Sequence, residues 1–450
     1  MNEHEQRGVS IGTVLMLLIS LAVLICCSIV LPRLMGPVNI HMDDQAMLSS
    51  TNLNASLPEV SQNDIPLTFT TPVPAVTAVP PAMPSPEPVV TVSEAPTPLP
   101  VTASVTLTFG GSINVDDLIR KSGFYSDTDK YDFTENLALI ADELDSDYTL
   151  VTLECITDDS GNVRQIPNAP AEVMGMLHAA NVDMVALGYH RAFERGIEGV
   201  TATVREAAGA GMETLGLYDS QQDADRMRIV EVNGVKVAYI HFATSITNTA
   251  KRKMNTDKAT YAMPVINISN GPDQIADDIV RAREMGAHVV VVVINWSGTD
   301  SINTTTTKMK NFMQALADAG ADVIIGTGTK TVKEVNWLVG KREDGSTHQT
   351  LCAWSLGSLL NGERNNGNVT GMLLHVQLSV GPGGVNFERV SYTPTYIWRF
   401  KQDDYYRYRV VASDLPAPAG MDETQAANAA RALENLRRML GNSPITIRTK

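Results

Sequence analysis

Cysteine is scarce in this chain, with four in 450 residues. Cys26 and Cys27 lie in an apolar N-terminal run, and Cys155 and Cys352 stand alone in the later sequence. Without a CxxC pair or a Cys/His array, nothing supports a structural zinc site, and two buried free thiols are expected at Cys155 and Cys352. Cations are also in short supply. Thirty-five Lys and Arg face 50 Asp and Glu, for a net charge of -15 and an isoelectric point near 5.0. That balance argues against non-specific binding to nucleic acid or anionic lipid, both of which need clustered Lys and Arg. The sequence has no GxSxG elbow, no P-loop, no kinase motif set and no internal repeat, so the familiar serine-hydrolase and nucleotide-transfer sites are excluded.

Residues 9–31 form a run without a single charge. A bilayer-spanning helix needs roughly 20 apolar residues, and this run is long enough. The alternative is a cleaved signal peptide. The run exceeds the usual signal core, and the following PRLMGPVNI lacks a small-x-small cleavage site, so an uncleaved anchor is the expectation. Between Arg33 and Arg120 there is no Lys or Arg to oppose export. The expected topology is a cytoplasmic tail at 1–8, a membrane helix at 9–31 and an extracellular linker at 32–104. From about residue 49 the linker is dominated by Pro, Thr, Ser, Val and Ala, a composition that favours extended polyproline-II geometry over a packed core.

The pattern changes at Val105. Strands are expected at 105–109, 147–153, 182–187 and 213–216, with amphipathic helices at 134–144, 171–180 and 197–211. Asn233-Gly234 between two apolar runs predicts a hairpin with a type I′ turn. A helix at 273–285, a fully buried strand at 288–294, a helix at 308–319 and a strand at 321–325 follow. Strands at 349–355 and 372–378 close the domain, the chain is less regular after Tyr392, and 424–440 reads as a helix. Alternating strands and helices imply a layered α/β or α+β domain at 105–400, with a C-terminal extension at 401–450. Asp116 and Asp117 are placed to cap a helix.

The strand-end residues, in order, resemble the CapA family, linked to capsule and poly-γ-glutamate synthesis. The family's Gly-Asp-Ile-Met turn appears as Gly111-Ser112-Ile113. Its Asn-Leu-Glu is Thr152-Leu153-Glu154, and its Asn-Asn-His with a following acid and Gly is Gly188-Tyr189-His190 with Glu194 and Gly196. Its His-Trp-Gly is Asn295-Trp296-Ser297, its Gly-x-His-Pro-His is Gly326-Thr327-Gly328-Thr329-Lys330, and its Ser-Leu-Gly-Asn is Ser355-Leu356-Gly357-Ser358. The similarity covers 105–378, with 393–398 resembling the family's closing segment. It implies a calcineurin-like metallophosphatase sandwich of mixed sheets flanked by helices.

A two-metal hydrolase needs carboxylates, imidazoles and amides converging on a cation pair. Here Ser112 replaces the aspartate, and Asn295, Gly328 and Lys330 replace histidines. The resemblance therefore implies a lost dinuclear site, no cofactor, and a pseudoenzyme that binds an anionic envelope polymer or a synthesis partner. Asn295 and Glu194 remain as weak oxygen donors for a hard cation. Its cleft would gather Ser112, Glu154, His190, Glu194, Asn295, Trp296 and Lys330, with Lys330 beside Glu154. In the alternative, a rebuilt hydrolase or transferase would use His190 as acid/base, with Glu154 beside it and Lys330 as electrophile. A third reading is a purely structural envelope protein. Trp296 reads as core or as a sugar-stacking platform, Tyr189 as a plug for the vacated cavity, and His241, His288 and His375 as structural.

Overall fold

The structure, a computed structural model, describes residues 103–158, 167–296, 306–342, 345–364, 367–402 and 404–448. The expected membrane helix and residues 32–102 of the expected linker lie outside the described residues, while Ala103 and Ser104, expected as linker, already belong to the first strand, where they pair with Val380 and Ser379. Among the described residues no helix is long and apolar enough to cross a membrane.

The chain opens with β1 (Ala103–Ile113), then a two-stranded hairpin of β2 (Phe124–Tyr125) and β3 (Lys130–Tyr131). β4 (Tyr148–Leu153), β5 (Met184–Ala186) and β6 (Glu213–Leu215) follow, each parallel to its predecessor in the first sheet. Next come β7 (Arg228–Val232), β8 (Val235–Ala243), β9 (Val289–Asn295), β10 (Val323–Thr327), β11 (Val335–Lys341) and β12 (Thr347–Ala353), which make the second sheet in the order β11-β12-β10-β9-β8-β7. β13 (Ser358–Leu360), β14 (Thr370–Gly381), β15 (Gly384–Gln402), β16 (Tyr405–Ala412) and β17 (Thr446–Ile447) return to the first sheet, whose main path is β16-β15-β14-β1-β4-β5-β6. Both sheets mix parallel and antiparallel pairs, so the architecture is α+β.

Side-chain alternation along the strands fixes the layers. Val105, Leu107 and Phe109 of β1 point into one apolar cluster with Val237, Tyr239, Val291 and Ile325 of the second sheet. Their neighbours face outward onto helices. Val151 and Leu153 pack with Val173 and Leu177 of α1 (Glu172–Ala179) and Val200 and Val204 of α2 (Gly196–Gly209). On the far side, Val290, Val292 and Ile324 pack with Ile275 and Ile279 of α3 (Asp273–Glu284) and Phe312 and Leu316 of α4 (Thr307–Asp318). β9 is buried along its whole length because both its faces are covered, which explains its unbroken valine run.

Local chemistry sets the turns. Asn233 and Gly234 adopt φ of 51° and 80°, the left-handed pair that a type I′ hairpin requires. Asp116 caps the short helix Asp117–Gly123, accepting from Leu118 N and Ile119 N at 2.9 and 3.0 Å. Its second oxygen accepts from Gly362 N at 2.8 Å, which ties this helix to the loop after β13. Asp116→Ala should therefore lower stability by about 1–2 kcal/mol. Urea unfolding checks this, and an unchanged midpoint contradicts it.

Two segments depart from expectation. Residues 134–144 form two 3₁₀ turns (Thr134–Asn136 and Ala138–Ile140) and one helical turn (Ala141–Leu144), not one helix. Asn136 donates its amide to Tyr408 O at 2.6 Å, a tertiary bond that holds the first turn against β16. The chain after Tyr392 is regular, since β15 runs through residue 400 and pairs with β14 and then β16. Residues 391–398 are buried consecutively, so the alternation that marks a strand is missing there, and Pro394 adds a further false break.

Candidate cleft at the strand ends

The carboxyl ends of β1, β4, β9 and β10 bring residues from both sheets together. Gly111 makes this possible, because a Cβ there would lie 2.3 Å from Gly357 O. The backbone can therefore run close against the loop before β13, with Ser112 N donating to Gly357 O at 3.0 Å. Ser112 Oγ then accepts from Gly328 N, just beyond β10, at 2.9 Å and donates to Glu154 Oε1 at 3.3 Å. Asn295 Nδ2, at the end of β9, donates to the same Glu154 oxygen at 3.2 Å. Gly328 adopts φ of 82°, the left-handed region a glycine enters freely, and so aims its N–H back across the sandwich.

Glu154 is almost fully enclosed. Burial pushes its carboxyl up to about 7, opposed by the Asn295 and Ser112 hydrogen bonds, the Lys330 charge and a hydrogen bond from Asn114. His190 is half-buried, and its imidazole is pushed down to about 4 by burial and then by Arg191, with Glu194 opposing and Lys330 adding to the shift. It is therefore neutral at physiological pH. Lys330 influences both groups, so Glu154 and His190 share one electrostatic environment.

Several expected site residues are engaged elsewhere. Lys330 forms its ion pair with Glu363, not Glu154, and is 41 % exposed. A half-solvated ammonium beside a half-solvated carboxylate avoids the desolvation that pairing with buried Glu154 would demand. Both Glu194 oxygens are held, one by Arg191 at 3.1 and 2.8 Å and the other by Thr247 Oγ1 at 2.8 Å. Trp296 is buried in the cluster under α3 and α4, so it offers no face to a sugar. Ser297 lies outside the described residues. Tyr189 is buried edge-on to His190, with ring centroids 5.8 Å apart and its hydroxyl unpartnered among the described residues.

Of the other histidines expected to be structural, His241 and His375 lie in strands β8 and β14, and His288 stands just before β9, accepting from Lys236 N at 3.0 Å. His375 bridges Thr108 and Thr393 at 3.0 and 2.9 Å. His241 is enclosed between the sheets against Gly188 and Gly216. Cys155 and Cys352 are buried free thiols.

The residues present do not fit a pair of metal ions. Among the described residues no three His, Cys, Asp or Glu side chains gather into a metal-holding group. At the strand ends the single carboxylate of Glu154 is joined only by a hydroxyl and an amide, where a pair of hard cations requires several anionic oxygen or imidazole ligands. Sequence reasoning missed Glu363 and Arg191, which pair with Lys330 and Glu194, and Thr247, which donates to Glu194. The three-residue spacing of Arg191 and Glu194 is a signal for that pair, whereas Glu363 and Thr247 are brought in by the fold from 33 and 53 residues away.

A family model described as bacterial capsule synthesis protein PGA_cap matches residues 106–363, more than half of the chain. The chain belongs to the PGA_cap family. Among curated proteins it is 26% identical over 156 residues to "PGA biosynthesis protein CapA" of Bacillus subtilis (strain 168). It is 25% identical over 162 residues to "Capsule biosynthesis protein CapA" of Bacillus anthracis. These matches span 34% and 35% of this chain and only 38% and 37% of the two relatives. A solved structure titled "GAP50 the anchor in the inner membrane complex of Plasmodium" aligns over 73% of this chain and 95% of its own at 12% identity, but its TM-score of 0.26 is too low to carry an argument. The PGA_cap match takes in Ser112, Glu154, His190, Asn295 and Lys330 and stops at Glu363, the partner of Lys330.

Proposed function

We propose that this PGA_cap protein acts at the cell envelope in capsule or poly-γ-glutamate synthesis as a binding protein, holding an anionic polymer or a synthesis partner without hydrolysing it. The observation that carries this reading is the donor set at the strand ends. A single buried carboxylate is bonded to a serine and an asparagine, with a glycine and a lysine where the family resemblance calls for histidines. The layered α+β sandwich, with its polar cluster at the carboxyl ends of parallel strands, supports a metallophosphatase-type ancestry. The uncharged residues 9–31 supply a membrane anchor, with residues 1–8 in the cytoplasm and the domain outside the cell.

The test uses the purified full chain incubated with Mn²⁺, Zn²⁺ or Fe²⁺ and then desalted. Metal retention well under one equivalent is expected, with no phosphoester or peptide turnover above a buffer blank. A full equivalent retained, together with turnover that Glu154→Gln abolishes, overturns the reading.

One observation favours a second reading, a metal-free hydrolase or transferase. Glu154 titrates near neutrality, where a general acid or base is most effective. In that reading His190 and Lys330 complete the site. Turnover without metal that is lost in Glu154→Gln would select it.

A further inference from the structure

The C-terminal helix, α5 (Glu423–Leu440), begins with a complete capping box, in which Asp422 and Gln425 bond each other's backbone. Ala429, Ala432, Leu436 and Leu440 seat it on the first sheet. That seating turns the stripe Asn428, Arg431, Asn435 and Arg438 toward a groove of about 1020 Å³. The opposite wall includes Lys333 and Arg364, which follow the cleft residues Lys330 and Glu363 in sequence. Arg364 is fixed there by bonds to Ile397 O at 2.7 Å and the Tyr396 hydroxyl at 3.2 Å.

The groove therefore holds four cations against one carboxylate, Glu334, in a chain of net charge -15. Among the described residues none of the four lies within ion-pair distance of a carboxylate. Arg437, on another face of the same helix, does pair, with Glu434 at 3.8 Å. Arg438 instead donates to Asn435 at 2.8 Å. Burial lowers the pKa of Lys333, with the neighbouring Glu334 carboxylate opposing the shift. Like charges gathered along a groove raise its local potential, and they act over about 8 Å in physiological salt, inside the reach of the protein's overall negative field.

We propose that this groove binds an extended anionic polymer whose carboxylates repeat along the chain. Seven helical positions separate Arg431 from Arg438, roughly 10 Å along the axis. One carboxylate cannot reach both, whereas a repeating chain can. The Arg431 and Arg438 guanidinium groups on the helix wall suit hydrogen-bonded capture of carboxylates, while Arg364 and Lys333 add charge from the opposite wall. The choice of carboxylate over phosphate rests on the capsule reading above. The helix wall lies outside the PGA_cap match at 106–363, while Lys333 and Glu334 lie within it.

The experiment is fluorescence anisotropy of labelled poly-γ-glutamate on the purified full chain, repeated with added salt. Arg431→Glu with Arg438→Glu is expected to weaken binding on the order of tenfold and to flatten its salt dependence. Arg431→Gln with Arg438→Gln, which keeps helix propensity, should give a smaller loss of the same sign. A charge-matched control, Lys251→Glu with Lys341→Glu at exposed positions elsewhere, should bind as the unaltered chain does. Equal binding by the groove variants overturns the proposal. If Lys330→Ala removes that binding instead, the polymer lies in the cleft and the capsule reading survives. If the unaltered chain binds no polymer, the groove and the polymer-binding reading both fall. If polyphosphate or anionic vesicles displace the label while unlabelled poly-γ-glutamate does not, the carboxylate assignment is wrong.

Discussion

Trp296→Ala is expected to destabilise the protein by about 3–5 kcal/mol, as measured by urea unfolding. The side chain is 1 % exposed and packs among Ile294, Phe312, Met313 and Trp354 in the layer between the second sheet and its helices. The indole lies so close to Gly326 that a Cβ there would come within 2.6 Å of its Nε1. Neighbours fixed in a sheet and two helices cannot collapse far into the space an alanine leaves, which places the loss toward the upper part of the range. A tryptophan that stacked on a sugar would behave oppositely, with little change in stability and a sharp fall in ligand affinity. A loss under about 1 kcal/mol would contradict the burial described here.

Glu154→Gln is expected to have the second-largest effect, and to stabilise. The folded carboxyl sits at about 7, above its ordinary 4.5. Below pH 4.5 both folded and unfolded chains carry the proton, and the wild type keeps its full stability from this group. As pH rises from 4.5 through 7 the unfolded chain releases its proton first, so stability drains away with rising pH. A displacement of this size is worth roughly 3 kcal/mol once the group is ionised in both states. Glutamine has no proton to lose, and its carbonyl can still accept from Ser112 and Asn295. The variant should therefore gain on the wild type by up to about 3 kcal/mol between pH 4.5 and pH 8. Unfolding midpoints of the two proteins that run parallel across this range would show that Glu154 is not held above its ordinary value.

Most of the layered fold was legible because its elements obey local rules. The Asn233-Gly234 turn, the valine run of β9, the Asp116 cap and the C-terminal helix all carry their signal within a few residues. β15 did not, because the consecutive burial of 391–398 is imposed by two covered faces and leaves no alternation to read. The site divided along the same line. Ser112, Glu154 and Asn295 were recognisable as strand-end polar residues, and the fold joins them through one carboxylate oxygen. Glu363 and Thr247, the distant partners of Lys330 and Glu194, are brought in by the fold, which sequence spacing does not encode. Trp296 sits beside the cleft in sequence but points the other way, since adjacent strand-end positions face opposite sides of the sheet.

The hydrogen bond from Gly328 N to Ser112 Oγ joins positions 216 residues apart. β1, which carries Ser112, also waits for β14, its antiparallel neighbour at Thr370–Gly381. A nascent chain therefore makes the first wall of the cleft early and completes it only when the last third of the domain has emerged. Such long loop closures are slow, and until they occur β1 has an unpaired edge. The cleft is thus a marker of completed synthesis: a chain that stops before Asn295 presents Glu154 without that amide, and one that stops before Gly328 presents Ser112 without its backbone donor.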